Sequence, residues 1–351
     1  MRRWPYTFAV LLSIAVGITA IAMSRHVGVP LRDPDGFLGP AYIRLPLIGL
    51  VFFAIGIVPA ALMRGKIRGF SDAFRQIIRD EWDWKRVGNI TAGLLTFYIC
   101  YVSYRNIKND LPLYRHNRFD TKMLNIDYNL FFHHNPAPVL HHLLGVSFSA
   151  QILSTVYVAY LPLIPLTLGA FLVWGRDASV AAWYSTALSL NWVLGAISYY
   201  CIPTLGPAFV QQSMFVDLPE TSAAQLQRAL FHGATKFYDD PGGGSTYGIA
   251  GFASLHVSVV VSAVMFLYLT KQRHVVKVIS TFYLVLVVLA TIYFGWHYLA
   301  DDIAGAFIGW LAVVIGAVAT GNTKKQRARK LAALTAPGPG STPAIVEPVV
   351  S

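Results

Sequence analysis

The chain has 351 residues, 55% of them hydrophobic and 13% charged, with a formal net charge of +11. A soluble globular domain carries about a quarter charged residues, so a deficit spread along the whole chain excludes that class and indicates a polytopic membrane protein. Both cysteines, Cys100 and Cys201, fall in apolar segments, which leaves neither a disulfide framework nor a Cys-based metal site.

Runs of about 20 apolar residues suit the hydrocarbon core of a bilayer. The first, 6–23, follows Met1-Arg2-Arg3 and resembles a signal peptide. It has no clear small-residue cleavage site and more spans follow, so it reads as a retained helix. A second run covers 42–63. The stretch after it, FSDAFRQIIRDEWDWKR (70–86), is amphipathic and Trp-bearing and reads as an interfacial helix. Further spans are expected over 88–105, 150–174, 179–202, 250–270, 277–296 and 301–320. The fold class is all-α, a polytopic membrane helix bundle of about eight transmembrane helices. The tail from Thr323 begins KKQRARK and turns rich in Ala, Pro and Gly, which predicts disorder.

Lys and Arg concentrated in short loops set the orientation. With the N-terminus inside, the cytoplasmic segments collect Arg2, Arg3, the basic residues from Arg64 to Arg86, Arg176, Lys271, Arg273, Lys277 and those from Lys324 to Lys330. Both termini are therefore cytoplasmic, and the long loops 106–149 and 203–249 lie outside. The basic balance is a topology signal, and nucleic acid is not the expected partner.

Ionisable residues inside membrane segments are rare and mark functional sites. Here they gather at the outer end. His256 lies one to two turns into the sixth span, in GFASLHVSVVV. His297 ends the seventh in ATIYFGWHYLADDIAG and Asp301 opens the eighth, while Arg105 and Lys108 finish the third in YRNIKNDLP. At 1.5 Å per residue, about 22 Å of helix leads from His256 to Lys271 and about 30 Å from Lys277 to His297, so the imidazoles return to similar depths. If 296–301 is helical, His297 and Asp301 share a side as i and i+4, and the carboxylate fixes the imidazole's tautomer. Such a set suits phosphorus chemistry. One histidine is the nucleophile, the other protonates a leaving oxygen and later deprotonates an acceptor, and Arg105 and Lys108 hold phosphoryl oxygens. Asp302, about 100° further round the helix, is expected to face the headgroup region.

ASLH at Ala253–His256 followed by HYLAD at His297–Asp301 resembles the second and third signatures of the type 2 phosphatidic acid phosphatase superfamily. More narrowly, FASLHVS and ATIYFGWHYLADDIAG resemble the branch containing inositol phosphorylceramide synthases, as do IPTLGPAF (202–209) and YRNIKNDLP…LNIDYNLFF (104–132). The resemblance covers about 95–320. It implies a six-helix phosphatase/phosphotransferase core over 88–320. Two extra helices and the interfacial helix (1–87) precede that core, and the disordered basic cytoplasmic tail (321–351) follows it. It also implies His297 as the nucleophile that becomes phosphohistidine, Asp301 as its orienting carboxylate, His256 as general acid/base and Ser254 as a substrate-binding residue, with no metal and no cofactor. The phosphatases carry a Ser-Arg pair with the Arg six residues before the nucleophile, where this chain has Ala290 and Thr291. Their Pro-Ser-Gly-His is here Ala253-Ser254-Leu255-His256, and Arg105, Lys108 and Pro112 only approximate their first signature. The synthase branch is similar in these departures, which favours transfer over hydrolysis.

Three other stretches have blander readings. HHNPAPVLHH (133–142) holds four histidines but no carboxylate, and Pro136 and Pro138 separate its two pairs, so it reads as an interfacial loop. DDPGGGSTYG (239–248) lacks the Gly-Lys-Ser/Thr ending of a phosphate loop. SAAQLQRALFHGATKFY (222–238) predicts a short helix whose Arg228, His232 and Lys236 form a basic stripe, suited equally to an anionic headgroup and to solvent.

The expected function is a membrane lipid phosphotransferase. It moves a phosphoryl or headgroup-phosphoryl, with phosphoinositol suggested by the branch resemblance, from a phospholipid donor to a hydroxyl-bearing lipid or polyol. With water as acceptor the machinery becomes a phosphatase of lipid phosphates or polyprenyl diphosphates, and a vestigial site would leave a transporter or scaffold. An Ala- and Gly-rich chain without an evident organellar signal points to a bacterial plasma membrane, with the site on the extracytoplasmic side.

Overall fold

The computed structural model describes residues 4–33, 39–65 and 68–335. Arg2, Arg3 and Lys66 of the orientation signal, and the Pro- and Gly-rich end of the tail, lie outside the described residues. Among those described there is no strand. The helices in order are α1 (Thr7–Val27), α2 (Ala41–Gly65), α3 (Phe70–Glu81), α4 (Trp84–Asn109), α5 (Leu111–Tyr114), α6 (Asp120–Leu130), α7 (Pro136–Leu144) and α8 (Phe148–Gly169), which widens into a π-helical turn over Ala170–Trp174. They continue as α9 (Ala178–Cys201), α10 (Pro207–Val210), α11 (Ser222–Asp239), α12 (Leu255–Leu269), α13 (His274–Tyr293), α14 (Leu299–Ala319) and α15 (Lys324–Thr335). Among the described residues seven helices are long and apolar enough to cross a bilayer: α1, α2, α4, α8 with its π turn, α9, α13 and α14.

The Ala- and Ser-rich α9 is buried on nearly every face and forms the axis of the bundle. It touches α4 on one side and α12 and α14 on the other, while α1 flanks α4 and α13 bridges α12 to α8. Lipid tails are as apolar as leucine, so close packing and interhelical hydrogen bonds must hold such helices together. Trp183 Nε1 on α9 donates to the Val313 carbonyl of α14 at 2.8 Å, Ser185 Oγ to the Gly93 carbonyl of α4 at 3.0 Å, and Asn191 Nδ2 to Ser262 Oγ of α12 at 2.9 Å. The tightest approach joins α12 and α14. A Cβ on Gly305 or Gly309 would stand 2.2 Å from the Ser254 carbonyl oxygen or 2.3 Å from that of Ser258.

The sixth expected span differs most from its prediction. Helix α12 starts only at Leu255, and its 15 residues cover about 22 Å, short of the roughly 30 Å core. The residues before it are non-helical, which membrane depth tolerates only where protein satisfies the backbone. Here it does. Gly251 N–H donates to the Thr204 carbonyl (2.8 Å), Phe252 N–H to Thr204 Oγ1 (2.8 Å), Ala253 N–H to Ser198 Oγ (3.0 Å) and Ser254 N–H to the Asp301 carbonyl (3.0 Å). The amphipathic stretch expected as one helix over 70–86 is divided: Phe70–Glu81 form α3, with Ala73 and Ile77 buried against Ile57 and Ala61 of α2, and Trp84 already opens α4. The start of the tail, expected to be disordered, is instead the helix α15. Arg327 docks there by donating to the Leu269 carbonyl at 2.6 Å, satisfying the C-terminus of α12.

Candidate active site

Ser254 is the N-cap of α12, its Oγ accepting the Val257 N–H at 3.4 Å, and this places His256 in the first turn rather than one or two turns deeper. The imidazole lies against two rings of α8, Tyr157 at 4.5 Å and Tyr160 at 4.4 Å between centroids. Tyr157 stacks in turn on Trp296 at 4.9 Å, and the Tyr160 hydroxyl donates to the Leu255 carbonyl at 2.9 Å.

His297 sits in the turn between α13 and α14, 5% exposed. Its Nε2 is 3.3 Å from His256 Nδ1, and its Nδ1 is 3.5 Å from Asp301 Oδ2. The expected pairing is present as a close contact and not as a hydrogen bond, His297 Nδ1 having no hydrogen-bond partner among the described residues, and it does not come through a helix over 296–301. Tyr298 is the N-cap of α14, and Asp301, in the first turn, accepts the Tyr298 N–H on Oδ2 at 3.0 Å. A carboxylate in a first helical turn meets unsatisfied N–H groups and the positive end of the helix dipole. The same bond that caps α14 therefore turns Asp301 back toward His297.

Asp302 does not face headgroups. It is 3% exposed, because α12 and α13 close over the first turn of α14, and it accepts Thr291 Oγ1 at 2.8 Å. Asp302 also lies near enough to His297 to act on it electrostatically. Thr291, six residues before His297, thus holds a carboxylate. Asp301 Oδ1 and Asp302 Oδ1 are both buried without a hydrogen-bond partner.

Lys108 places its Nζ 5.5 Å over the Tyr199 ring and acts electrostatically on both imidazoles. Arg105 lies near enough to act on Lys108 but makes no hydrogen bond to the histidine pair. Arg228 and Lys236 on α11 are not brought to the pair. Both are exposed, and Arg228 is ion-paired with Glu220.

Two acids that sequence reasoning passed over hold the frame of the site. Asp127 of α6 accepts the Leu299 N–H at 2.6 Å and the Ala300 N–H at 2.9 Å, capping α14 from outside. Asp120 Oδ1 takes the Leu205 and Gly206 N–H groups at 2.9 and 3.2 Å and the Tyr298 hydroxyl at 3.1 Å. The IPTLGPAF element thereby packs under the turn between α13 and α14. Gly206 has φ +104, and a Cβ there would meet the Trp296 carbonyl oxygen at 2.4 Å. The signal for both acids was present in the sequence: carboxylates in an apolar chain, in the segment LNIDYN and just before it.

In HHNPAPVLHH, His133 and His134 lie in an exposed turn before α7. His141 is held by its Nε2 contact to the Tyr293 carbonyl at 2.7 Å, and burial pushes its pKa down. Among the described residues no group of three or more His, Cys, Asp or Glu side chains is placed to hold a metal ion.

Residues 121–315 match the family model of the PAP2 superfamily, and the chain belongs to that superfamily. Membership implies phosphatase or phosphotransferase chemistry on lipid-like substrates. The matched region contains His256, His297 and Asp301 and begins after α4, so Arg105 and Lys108 lie outside it. Searches of curated proteins and of solved structures return no match.

Proposed function

We propose that this PAP2-superfamily chain is a lipid phosphotransferase working through a phosphohistidine at His297. The observation that carries the reading is the His256–His297–Asp301 chain: half-buried His256 places Nδ1 3.3 Å from Nε2 of the buried His297, and Asp301 lies 3.5 Å from the other nitrogen of the same ring. With a proton on Nδ1 facing Asp301, His297 keeps its Nε2 lone pair, onto which the Nδ1–H of His256 is directed. A phosphoryl group entering between the rings takes the place of that contact.

In the first step a bond forms from His297 Nε2 to phosphorus and the bond to the lipid oxygen breaks, with His256 supplying the proton to the departing alcohol. In the second, His256 removes the proton of an acceptor hydroxyl, whose oxygen bonds to phosphorus as the bond to His297 breaks. Asp301 stabilises the imidazolium form of His297, Lys108 offsets charge on the phosphoryl oxygens, and Ser254 holds the α12 end of the pocket. Burial of His297 and Asp301 limits water, which favours an alcohol acceptor. The absence of an arginine at Thr291 supports transfer too.

On this reading α4, α8, α9, α12, α13 and α14 form the phosphotransferase core, and α1 to α3 are an addition. The Lys and Arg distribution supports an extracytoplasmic site, the Ala- and Gly-rich composition a bacterial plasma membrane, and the resemblance to the inositol phosphorylceramide synthase branch a phosphoinositol-type phospholipid as donor and a lipid or polyol hydroxyl as acceptor. The test follows the phosphorus of a labelled phospholipid given to the reconstituted protein with and without an alcohol. Transfer predicts label on the alcohol. Label released as free phosphate replaces transfer by hydrolysis, and a His297→Ala protein as active as the parent removes the mechanism.

A further inference from the structure

At the opposite end of the bundle from the histidines lies a cavity of about 650 Å³ that the proposed chemistry does not use. Arg86 in its wall and Lys108 at the histidine site are 22 residues apart on α4, about 33 Å at 1.5 Å per residue. Its cationic lining is Arg64, Lys85, Arg86 and Arg176. Two of the acids in the wall are already engaged. Glu81 pairs with Arg64 at 3.1 Å, and Asp83 caps α4 by accepting the Arg86 N–H at 2.8 Å, which leaves Asp80. Lys85 and Arg176 form no ion pair among the described residues.

Two buried polar atoms in this wall lack partners. Tyr6 is 0% exposed and its hydroxyl has no hydrogen-bond partner among the described residues. Arg86 gives its terminal nitrogens to the Glu81 and Val173 carbonyls, both at 2.8 Å, and leaves Nε buried and unpaired. Arg86 Nε can only donate and the Tyr6 hydroxyl can donate, so one acceptor oxygen satisfies both, and the unpaired Lys85 and Arg176 favour an anionic one. Basic pockets between transmembrane helices at the headgroup level suit phospholipid phosphates, and guanidinium groups bind phosphate oxygens with charge-assisted bonds. The walls come from the start of α1, the end of α2, α3, α4 and the start of α9.

We infer that this cavity binds the phosphate of an anionic phospholipid headgroup, which fastens α1 to α3 onto the rest of the bundle. The full-length protein in mild detergent is titrated with phosphatidylglycerol, with a diacylglycerol lacking the phosphate, and with inorganic phosphate, while thermal unfolding is followed. Phosphatidylglycerol raises the Tm and diacylglycerol does not. Tyr6→Phe and Arg176→Gln each weaken the apparent affinity about tenfold, the loss expected for one hydrogen bond to a charged group. Arg273→Gln, on a short loop at the same end, leaves the affinity unchanged. Inorganic phosphate matching the lipid's shift upholds the phosphate site and assigns it to soluble phosphate compounds. An equal shift with diacylglycerol, or a phosphatidylglycerol shift unaltered in the Tyr6→Phe/Arg176→Gln double variant, overturns the inference.

Discussion

The α12–α14 pair and the α2–α3 pair are built on different principles. Between α12 and α14 there is backbone against backbone, with Gly305 and Gly309 lying on the Ser254 and Ser258 carbonyls and Ser262 Oγ donating to the Gly309 carbonyl at 2.9 Å. Between α2 and α3 there are interleaved side chains, Ile57 and Ala61 against Ala73 and Ile77, with Phe53 edge-on to Trp82 at 4.5 Å. Side-chain packing tolerates adjustment by rotamer; backbone contact has no such reserve. The pair without slack is the one that presents His256 and Asp301 to His297. A catalytic constellation needs its groups held to within about half an ångström.

The sharpest way to break this contrast is Asp301→Asn, which keeps the shape and removes the charge that, on the proposed mechanism, fixes the His297 tautomer. Turnover should fall on the order of 10³- to 10⁴-fold, the scale known for loss of a histidine-orienting carboxylate, while the unfolding temperature stays near that of the parent. Normal turnover would detach Asp301 from the site. Gly309→Leu comes next. Its Cβ would overlap the Ser258 carbonyl, and a cost on the order of 3 kcal/mol should appear as a lowered denaturation midpoint together with lost activity.

Asp127→Ala tests the frame more gently. It removes two N–H partners at the start of α14, worth about 1 kcal/mol as a cap, and should lower kcat by roughly tenfold, on the scale of displacing catalytic groups by fractions of an ångström. Ile77→Val gives the smallest effect. It should lower stability by about 1 kcal/mol and leave turnover unchanged, because the α2–α3 contact does not reach the histidines. A fall in turnover larger than that from Asp127→Ala would erase the distinction between the two pairs.

Elements set by hydropathy and loop charge were legible in the sequence: the long spans, the amphipathic α3 and the clustering of His256, His297 and Asp301 in one region. What was not legible depended on tertiary partners. The late start of α12 is stabilised by Thr204 and Ser198, more than 45 residues away, whose bonds allow the preceding backbone to stay non-helical. Asp302 was placed outward by its angle on an isolated helix, whereas α12 and α13 close over it. The His297–Asp301 contact was expected from helical periodicity and arises from a cap, a local geometry that spacing alone does not distinguish. The Gly305-x-x-x-Gly309 spacing was visible in the chain and marked the closest helix contact.

The central claim, that phosphorus passes through His297, is tested by rapid acid-free quenching of the reconstituted protein turning over a phosphorus-labelled phospholipid, followed by peptide mapping of the bound label. The account predicts an acid-labile label on the peptide carrying His297, formed and consumed at rates matching turnover and missing from His297→Ala. Steady turnover with no label on the protein, or label that persists in His297→Ala, would contradict it.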